Sequence, residues 1–297
     1  MKYIRYALDG KIKLGAIGAE RDPERIVPLE EVCPELAGKT LIDFIKLFGG
    51  DPVEAAKAVN AYGGATDCPH CSKLLAPIER PVHDVLCVGV NYMAHRAEAD
   101  KNLDMPATAT IKGTVYFGKR ATRILGDGED VPARFDIDPD VDYESELAVI
   151  IGTGGKGISE DDAERCIFGY SVFNDLSSRR LQKKHAQWLL GKSLDGYTAM
   201  GPWIVDRTEL PFPLELDIKS YVNGELRQNS NTSLLIKTVP GIIAEISRGI
   251  TLDAGDIIAT GTPAGVGMGF TPQKFLKSGD TVVCEIERIG SLTNRIA

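Results

Sequence analysis

Two neighbouring apolar stretches that each carry carboxylates constrain the fold of this chain more than any other feature. The first, residues 142–152, opens with acidic side chains and continues as an unbroken apolar run, which predicts a buried strand. Because side chains alternate along a strand, Glu144 and Glu146 are predicted to project from the same face. The second stretch, residues 169–175, predicts another strand, which ends in Asp175. The sequence therefore predicts three carboxylates on two adjacent strands.

These carboxylates form a candidate metal site. Two like charges on one face repel each other, so Glu144 and Glu146 need a cation or a proton as a partner. Together with Asp175 they offer three oxygen ligands without a neighbouring Cys or His, a set typical of Mg²⁺ or Mn²⁺ rather than Zn²⁺. The competing interpretation is a solvated face at the start of a strand. The pattern by itself leaves both interpretations open.

The composition bounds the class of protein. The chain has 297 residues, of which 43% are hydrophobic, enough to bury a substantial core. No apolar run approaches the roughly 20 residues that span a bilayer, and the start lacks the apolar stretch of a signal peptide, so we expect a cytoplasmic protein. The net charge is −8 and the basic residues are dispersed, which argues against nucleic acid and membrane surfaces as partners.

The pattern of turns predicts two domains. Residues 1–80 are interpreted as a small N-terminal α+β domain with a linker, and residues 81–297 as the larger domain. The small domain is predicted to contain a β-hairpin over residues 3–17. Two short helices are predicted after it, over residues 40–48 and 52–62, and each is stopped by a pair of glycines.

A dithiol motif, Cys68-Pro69-His70-Cys71, lies in the linker. It fits the C-x-x-C pattern of oxidoreductases, but that chemistry needs the first Cys at a helix N-terminus after a strand, and here it follows a Gly-Gly loop. A structural zinc would need two more ligands, for which Cys33 and His70 are the nearby candidates. We interpret the motif as a loop with incidental thiols, and a redox or zinc module is the rival of another class.

Two glycine-containing motifs invite a nucleotide-binding interpretation. Residues 152–157 fit G-x-G-x-x-G, but the next helix is predicted to begin at Ser159, and residues 160–162 are all acidic. A pyrophosphate needs an unopposed positive helix dipole, which these carboxylates already occupy. Residues 191–193, Gly-Lys-Ser, match the end of a P-loop, but its earlier glycine is missing and no strand precedes it. Dinucleotide and P-loop chemistry are therefore disfavoured.

A candidate acid–base pair follows a predicted strand that ends near residue 90. His95 and Glu98 are three residues apart and share a face if the segment is helical. A carboxylate in that position orients an imidazole and raises its basicity, as activation of water requires. The competing interpretation is a solvated surface pair. The polar, irregular residues 99–114 are a candidate for a mobile lid.

Taken together, these segments resemble the fumarylacetoacetate hydrolase family over about residues 82–297. The resemblance rests on several motifs in the family's order, not on one motif. The motifs are Gly89-Val90-Asn91-Tyr92 with His95 and Glu98; Asp142-Tyr143-Glu144-Ser145-Glu146-Leu147; Gly169-Tyr170 and Asn174-Asp175 with Ser177, Arg179 and Gln182; Gly191-Lys192-Ser193 with Asp195 and Gly201-Pro202; Asn223-Gly224-Glu225; and Gly255-Asp256 with Gly261-Thr262-Pro263 and Gly265-Val266-Gly267. The spacing from Leu181 to Asp195 is similar to that of a bacterial branch with acylpyruvate hydrolase and oxaloacetate decarboxylase members. Arg180 departs from the Asp of many members.

The resemblance implies an α+β fold, a mixed β-roll of the fumarylacetoacetase C-terminal type with a small N-terminal α+β domain. It also implies a homodimer, a divalent cation (Mg²⁺ or Mn²⁺) and a small 2-oxo acid substrate. The implied site residues are Glu144, Glu146 and Asp175 for the metal, His95, Glu98 and Lys192 for catalysis, and Arg179, Gln182 and Thr262 for the carboxylate of the substrate.

The expected activity is metal-dependent hydrolysis of a C–C bond in a 2-oxo or 1,3-diketo acid of the acylpyruvate or fumarylpyruvate type. The metal and Lys192 are expected to stabilise an enolate. His95, held by Glu98, is expected to generate the nucleophilic water. Decarboxylation of oxaloacetate, and isomerisation or hydration of a related 2-oxo-enoic acid, pass through the same kind of enolate and are open alternatives.

Overall fold

A computed structural model describes residues 1–18, 25–62, 64, 66–67, 73–102, 113–185 and 187–297. Within this part of the chain, strands dominate and the helices are short, so the predicted mixed α+β class is confirmed. The dithiol motif at residues 68–71 lies outside the described residues, as does most of the candidate lid.

The elements have the following bounds. The strands are β1 Lys2–Leu8, β2 Lys11–Ile17, β3 Arg25–Pro28, β4 Thr66–Asp67, β5 Lys73–Leu75, β6 Val85–Gly89, β7 Val115–Lys119, β8 Asp130–Val131, β9 Val141–Asp142, β10 Ser145–Ile151, β11 Ile167–Asp175, β12 Ser177–Ser178, β13 Thr198–Asp206, β14 Asp217–Val222, β15 Glu225–Asn231, β16 Ile257–Ala259, β17 Thr281–Ile286 and β18 Gly290–Ile296. The α-helices are α1 Leu29–Val32, α2 Leu41–Leu47, α3 Pro52–Ala61, α4 Met93–Asn102, α5 Glu160–Ala163, α6 Arg179–Lys184, α7 Leu189–Lys192 and α8 Val239–Ser247.

The largest sheet has β10 and β11 near its centre. Its strand order is β4-β3-β2-β1-β13-β11-β10-β16-β6-β7, with β5 paired to β1. Strands β10 and β11 are buried along their whole length, which accounts for their unbroken apolar sequences. Strand β1 pairs with β13, so the N-terminal hairpin extends the same sheet. The division of the chain near residue 80 stays a prediction.

Two apolar cores cover the two faces of this sheet. Because side chains alternate along β10, Leu147 and Val149 contribute to one core, whereas Ala148 and Ile150 contribute to the other. The first core is completed by the second sheet, whose strand order is β15-β14-β17-β18-β8. The other core is completed by the N-terminal hairpin and helices, for example by Tyr3. Both faces are thereby dry, and polar groups on the central strands need partners within the protein.

Several sequence predictions hold in detail. The hairpin over residues 3–17 forms β1 and β2 in antiparallel register. The first predicted helix is α2, and Thr40 and Asp43 form a capping box at its start. The second is α3, which is capped by the side chain of Asp51.

Other boundaries differ from the prediction. The strand predicted from residue 142 is interrupted at Tyr143 and Glu144, because their backbone N–H groups donate to the side chains of Asp142 (2.9 Å) and Asn174 (3.2 Å) instead of a ladder. The helix that follows β12 is short: α6 begins at residue 179 and ends at 184. The first residues of the candidate lid belong to α4. None of the helices in the described residues is both long and apolar enough to cross a membrane.

Candidate active site

The structure brings the three predicted metal-binding carboxylates together. Glu144 directly precedes β10, Glu146 lies in β10, and Asp175 ends β11, where the register pairs Ser145 with Asn174. One carboxylate oxygen from each of the three side chains lies within 4.8 Å of the others. All three are buried, so they are not a solvated face.

Buried cations surround two of these carboxylates. Lys192 Nζ lies 2.7 Å from Glu144 Oε2 and 2.7 Å from Asp175 Oδ2. Lys119 Nζ lies 2.6 Å from Asp175 Oδ1, and Arg179 Nη1 lies 2.7 Å from Glu144 Oε1. The hydrogen bond to Glu146 Oε2 comes from the backbone N–H of Gly261, at 2.8 Å.

These contacts separate the pKa values of the two glutamates. Burial by itself raises the pKa of Glu144, but Lys192 and Arg179 outweigh it and hold that pKa far below its usual range. The pKa of Glu146 is raised well above its usual range, by burial first and then by the charges of Asp175 and Glu144. Burial lowers the pKa of the Lys192 ammonium, but Asp175 and Glu144 outweigh it and raise that pKa. Glu146 is therefore the carboxylate that a further cation would stabilise most.

The cluster fits a divalent cation on the chemistry of its donors. Glu144, Glu146 and Asp175 supply hard oxygen atoms, the ligands that Mg²⁺ and Mn²⁺ prefer. Burial and the repulsion from Asp175 and Glu144 raise the pKa of Glu146. A cation bound between the three carboxylates would offset that repulsion.

His95 and Glu98 lie on α4 and form a pair in which His95 is buried and Glu98 is partly buried. His95 Nδ1 is 3.3 Å from Glu98 Oε2, and His95 is 4% exposed. Glu98 accepts hydrogen bonds from the backbone N–H of Gly265 at 3.0 and 3.2 Å. A Cβ at Gly269 would lie 2.4 Å from Glu98 Oε1. The glycine-rich loop can therefore pack this closely against Glu98 only because residue 269 has no side chain. The interpretation of this pair as a solvated surface pair is therefore wrong.

Arg179 and Gln182 lie on α6 and face the same site. Arg179 Nε is 2.9 Å from Asp142 Oδ2, and its Nη1 is 3.0 Å from Gln182 Oε1. Its Nη2 is buried and has no hydrogen-bond acceptor among the described residues. A buried guanidinium with an open donor suits an anionic ligand. The role of both residues in substrate binding stays a prediction.

The hydroxyl of Thr262 is engaged within the protein. It donates to the backbone oxygen of Ser145 at 2.8 Å and accepts from Gln228 Nε2 at 2.7 Å. Gln228 in turn accepts from the N–H of Ser145 at 3.0 Å. The hydroxyl therefore ties the loop after β16 to the start of β10, and its contact with a substrate stays a prediction.

Seven of the nine predicted site residues, all except Glu98 and Asp175, line one small cavity. It has a volume of about 10 Å³, close to the space of one water molecule. Its lining consists of His95, Glu144, Glu146, Arg179, Gln182, Lys192 and Thr262 with Val88, Gly89, Val90, Phe117, Trp188 and Met268. A larger groove of about 560 Å³, near Phe212 and Leu235, is lined by none of these residues. The small cavity is the candidate active site because the buried charged side chains line it.

Sequence reasoning missed two buried charged residues at this site. Lys119 ends β7 and, besides Asp175, donates to the backbone oxygens of Leu176 (3.0 Å) and Lys192. Burial lowers the pKa of Lys119, an effect that Asp175 partly opposes. Asp142 ends β9 and forms an ion pair with Arg179. The one sequence signal for Lys119 is its place at the end of the strand Val115–Lys119, which carries two aromatic residues.

The family model for the fumarylacetoacetate (FAA) hydrolase C-terminal domain matches residues 84–297. The chain belongs to the fumarylacetoacetate hydrolase family. A relative in this family is oxaloacetate tautomerase YisK of Bacillus subtilis (strain 168), which is 44% identical over 224 residues, or 75% of this chain and 73% of that protein.

Solved structures of the fumarylacetoacetate hydrolase family have the same fold. Fumarylacetoacetate hydrolase (EaFAH) from psychrophilic Exiguobacterium antarcticum is 36% identical with a TM-score of 0.80, over 100% of this chain and 99% of that one. Maleylpyruvate hydrolase from Sphingobium sp. SYK-6, solved with manganese(II) and pyruvate, is 26% identical with a TM-score of 0.75, again over 100% and 99%.

The nucleotide-binding motifs have other roles in this family member. Lys192 of the Gly-Lys-Ser motif ends α7 and binds two carboxylates, so it is not free for a phosphate. Ser159 caps α5 by accepting from the N–H of Asp162, as expected for a helix that begins after the last glycine.

Proposed function

We propose that this enzyme interconverts the keto and enol forms of a compact 2-oxo dicarboxylic acid such as oxaloacetate, with a divalent cation held by Glu144, Glu146 and Asp175. The observation that carries the proposal is the buried ammonium of Lys192 beside this cluster, in a cavity that also holds His95 and Arg179. The identity of 44% with a relative named oxaloacetate tautomerase supports the choice of substrate.

The cation, when bound, supplies Lewis-acid polarisation of the 2-oxo group. Lys192 stabilises the negative charge that develops on the enolate oxygen. Two of its three N–H donors go to Glu144 and Asp175, which fix the ammonium, and the third is left for the substrate. Such a preorganised charge in a dry site stabilises an enolate far more than it would in water.

His95 is the candidate base. Its Nδ1 faces Glu98, so Nε2 is the ring nitrogen that accepts the proton from C3 of the keto form. The C3–H bond breaks, its electron pair forms the C=C bond, and the enolate oxygen gains a proton, for which the Lys192 ammonium is the candidate donor. The reverse steps return the keto form.

Arg179 and Gln182 are proposed to hold a carboxylate of the substrate. The open Nη2 of Arg179 is the donor available for this contact. The apolar wall of Phe117 and Trp188, whose rings meet edge to face at 5.1 Å, closes the cavity beside Lys192.

Hydrolysis of a C–C bond is the second candidate, and the contact of the buried His95 with Glu98 is the observation that favours it. The same base that removes a C3 proton can remove a proton from water. The similarity to a maleylpyruvate hydrolase solved with pyruvate supports this alternative. Decarboxylation of oxaloacetate does not require a base that removes a proton from water, so the His95–Glu98 contact does not favour it.

Spectrophotometric assays of the purified enzyme with Mg²⁺ and with Mn²⁺ separate these functions. The decay of enol-oxaloacetate, the cleavage of acylpyruvates and fumarylpyruvate, and the release of CO₂ from oxaloacetate are measured side by side. We expect enol decay to have the largest kcat/KM and to be suppressed in His95→Asn. A larger kcat/KM for cleavage would favour the hydrolase, and CO₂ release that survives in His95→Asn would favour the decarboxylase.

A further inference from the structure

Asp142 is buried at the junction of three segments, and both of its carboxylate oxygens are fully used. Its Oδ1 accepts from the backbone N–H groups of Tyr143 (2.9 Å) and Gly267 (2.6 Å). Its Oδ2 accepts from Arg179 Nε (2.9 Å) and from the N–H of Met268 (3.0 Å). A buried carboxylate with four charge-assisted hydrogen bonds holds all its partners in fixed positions.

On one side, Asp142 fixes the backbone that holds the catalytic pair. A Cβ at Gly267 would lie 2.7 Å from Asp142 Oδ1, so the loop can reach this carboxylate only as backbone. The same loop donates from Gly265 to Glu98 and packs Gly269 against it. The loop therefore contacts two carboxylates: Asp142 accepts from Gly267 and Met268 in its middle, and Glu98 contacts Gly265 and Gly269 at its two ends.

On the other side, Asp142 decides how the guanidinium of Arg179 is presented. Because Asp142 takes Nε, Nη1 is directed to Glu144 and Gln182. Nη2 then stays the donor without an acceptor among the residues that the structure describes. Without Asp142 the guanidinium could turn another edge toward the cavity.

We propose that Asp142 is a positioning residue that couples the two halves of the active site. It holds Arg179 for the substrate's carboxylate, and through the loop at residues 265–269 it holds Glu98 and thereby His95. This inference rests on the proposed function. A merely structural ion pair predicts lower stability without a defined change in substrate binding and turnover.

Asp142→Asn is the direct test. The amide oxygen can still accept from Gly267 and Tyr143, whereas the amide NH₂ meets two donors, Arg179 Nε and the N–H of Met268. The loss of an outer hydrogen-bond partner in such sites typically costs about 10–100-fold. We expect KM for enol-oxaloacetate to rise about tenfold and kcat to fall about tenfold.

Three further variants show which half of the active site each change in KM or kcat comes from. Arg179→Lys is expected to raise KM alone, Glu98→Gln to lower kcat alone, and Asp142→Asn to do both. Asp140→Asn is the matched control, because the side chain of Asp140 binds the exposed Arg180, and it is expected to leave both constants unchanged. An unchanged KM or an unchanged kcat in Asp142→Asn would overturn the inference.

Binding of oxalate, a small dicarboxylate, to the Mn²⁺-loaded protein separates the inference from the proposed function. If wild type binds oxalate but turns over no 2-oxo acid, the proposed function fails. The inference then still predicts about tenfold weaker oxalate binding by calorimetry in Asp142→Asn and unchanged binding in Asp140→Asn. Equal binding by all three proteins would overturn it.

A double-variant cycle covers the case in which Asp142→Asn does not fold. The effects of Arg179→Lys and Glu98→Gln on kcat/KM are then combined in one protein. Coupling through Asp142 predicts that the combined loss departs from the product of the single losses by about threefold or more, whereas independent sites multiply. Strict multiplication would contradict the proposal.

Discussion

Glu146 differs from the other two carboxylates of the cluster in the partners that surround it. Lys192 binds both Glu144 and Asp175, whereas Glu146 Oε2 accepts a hydrogen bond from the neutral backbone of Gly261. Burial and the two like charges raise the pKa of Glu146 well above its usual range. Among the three carboxylates, the charged form of Glu146 is therefore the one that a bound cation would stabilise most.

The variant Glu146→Gln tests this assignment. It is expected to weaken Mn²⁺ binding by about 100-fold or more, since even an outer partner of a metal ligand is worth about 10–100-fold. The melting temperature in EDTA is expected to stay the same or rise, because one of three repelling charges is removed and the bond from Gly261 is retained. Calorimetry and circular dichroism melts measure both. Glu225→Gln, on the surface, is the control, and a matching loss of affinity there would contradict the assignment.

His83 lies away from the cavity and gives the stability a dependence on pH. Its Nδ1 is 2.7 Å from Asp256 Oδ1, and this hydrogen bond and then the charge of Asp256 raise its pKa. A raised folded pKa means that the stabilisation is present below the unfolded value of about 6.5 and is lost as the pH rises through the folded value. His83→Ala is therefore expected to lower the melting temperature at pH 6 but not at pH 9. A difference independent of pH would refute this linkage.

At the residue scale, local patterns predicted the acids better than their partners. Strand periodicity was enough to place Glu144 and Glu146 together, and the spacing on one helix was enough for His95 and Glu98. Lys119 was missed because its contacts are with Asp175 and with backbone oxygens more than 50 residues away in sequence. Such contacts leave no periodic signal.

Helix α6, which carries Arg179 and Gln182, shows the same limit at the scale of an element. Its N-cap residue Ser178 makes no side-chain capping bond. Asp138 takes that role from outside the helix, by accepting from Arg180 N–H (2.8 Å), Leu181 N–H (3.1 Å) and the Ser178 hydroxyl. The cap comes from 40 residues earlier in the chain, so the local sequence does not show where this helix starts.

The variant Asp138→Ala removes this remote cap. It leaves buried donors without acceptors, so we expect a loss of about 2–4 kcal/mol in the free energy of unfolding, measured by urea denaturation. Asp136→Ala, which removes an exposed ion pair with Arg134, is the matched control and is expected to change the free energy of unfolding little. Similar losses in the free energy of unfolding in the two variants would show that Asp138 does not stabilise the start of α6.

At the scale of the whole molecule, the α+β class follows from the family resemblance, and the N-terminal hairpin follows from periodicity and turns. The pairing of β1 with β13 did not follow, because it joins residues that are more than 200 positions apart, such as Lys2 and Val205. Tyr3 and Phe44 pack against Phe168 of β11, with ring centroids 5.1 and 6.4 Å apart. The N-terminal part therefore supports the strand that ends in Asp175.

The expected homodimer is a prediction at this scale. Light scattering coupled to size exclusion is expected to give twice the chain mass of 32.1 kDa, and the mass should not change in Glu146→Gln, since the metal site is built within one chain. A mass of a single chain at micromolar concentration would contradict the dimer.

We propose that Glu144, Glu146 and Asp175 would hold a divalent cation, which would supply Lewis-acid polarisation for the enolisation of a 2-oxo acid. The most direct test of this proposal is the rate of enol-oxaloacetate decay by stopped flow, after the protein is stripped with EDTA and titrated with Mn²⁺. We expect the rate to be near background in the stripped protein, to saturate at one ion per chain in wild type, and to stay flat in Glu146→Gln. An undiminished rate in the stripped protein, or an equal Mn²⁺ response in Glu146→Gln, would contradict it.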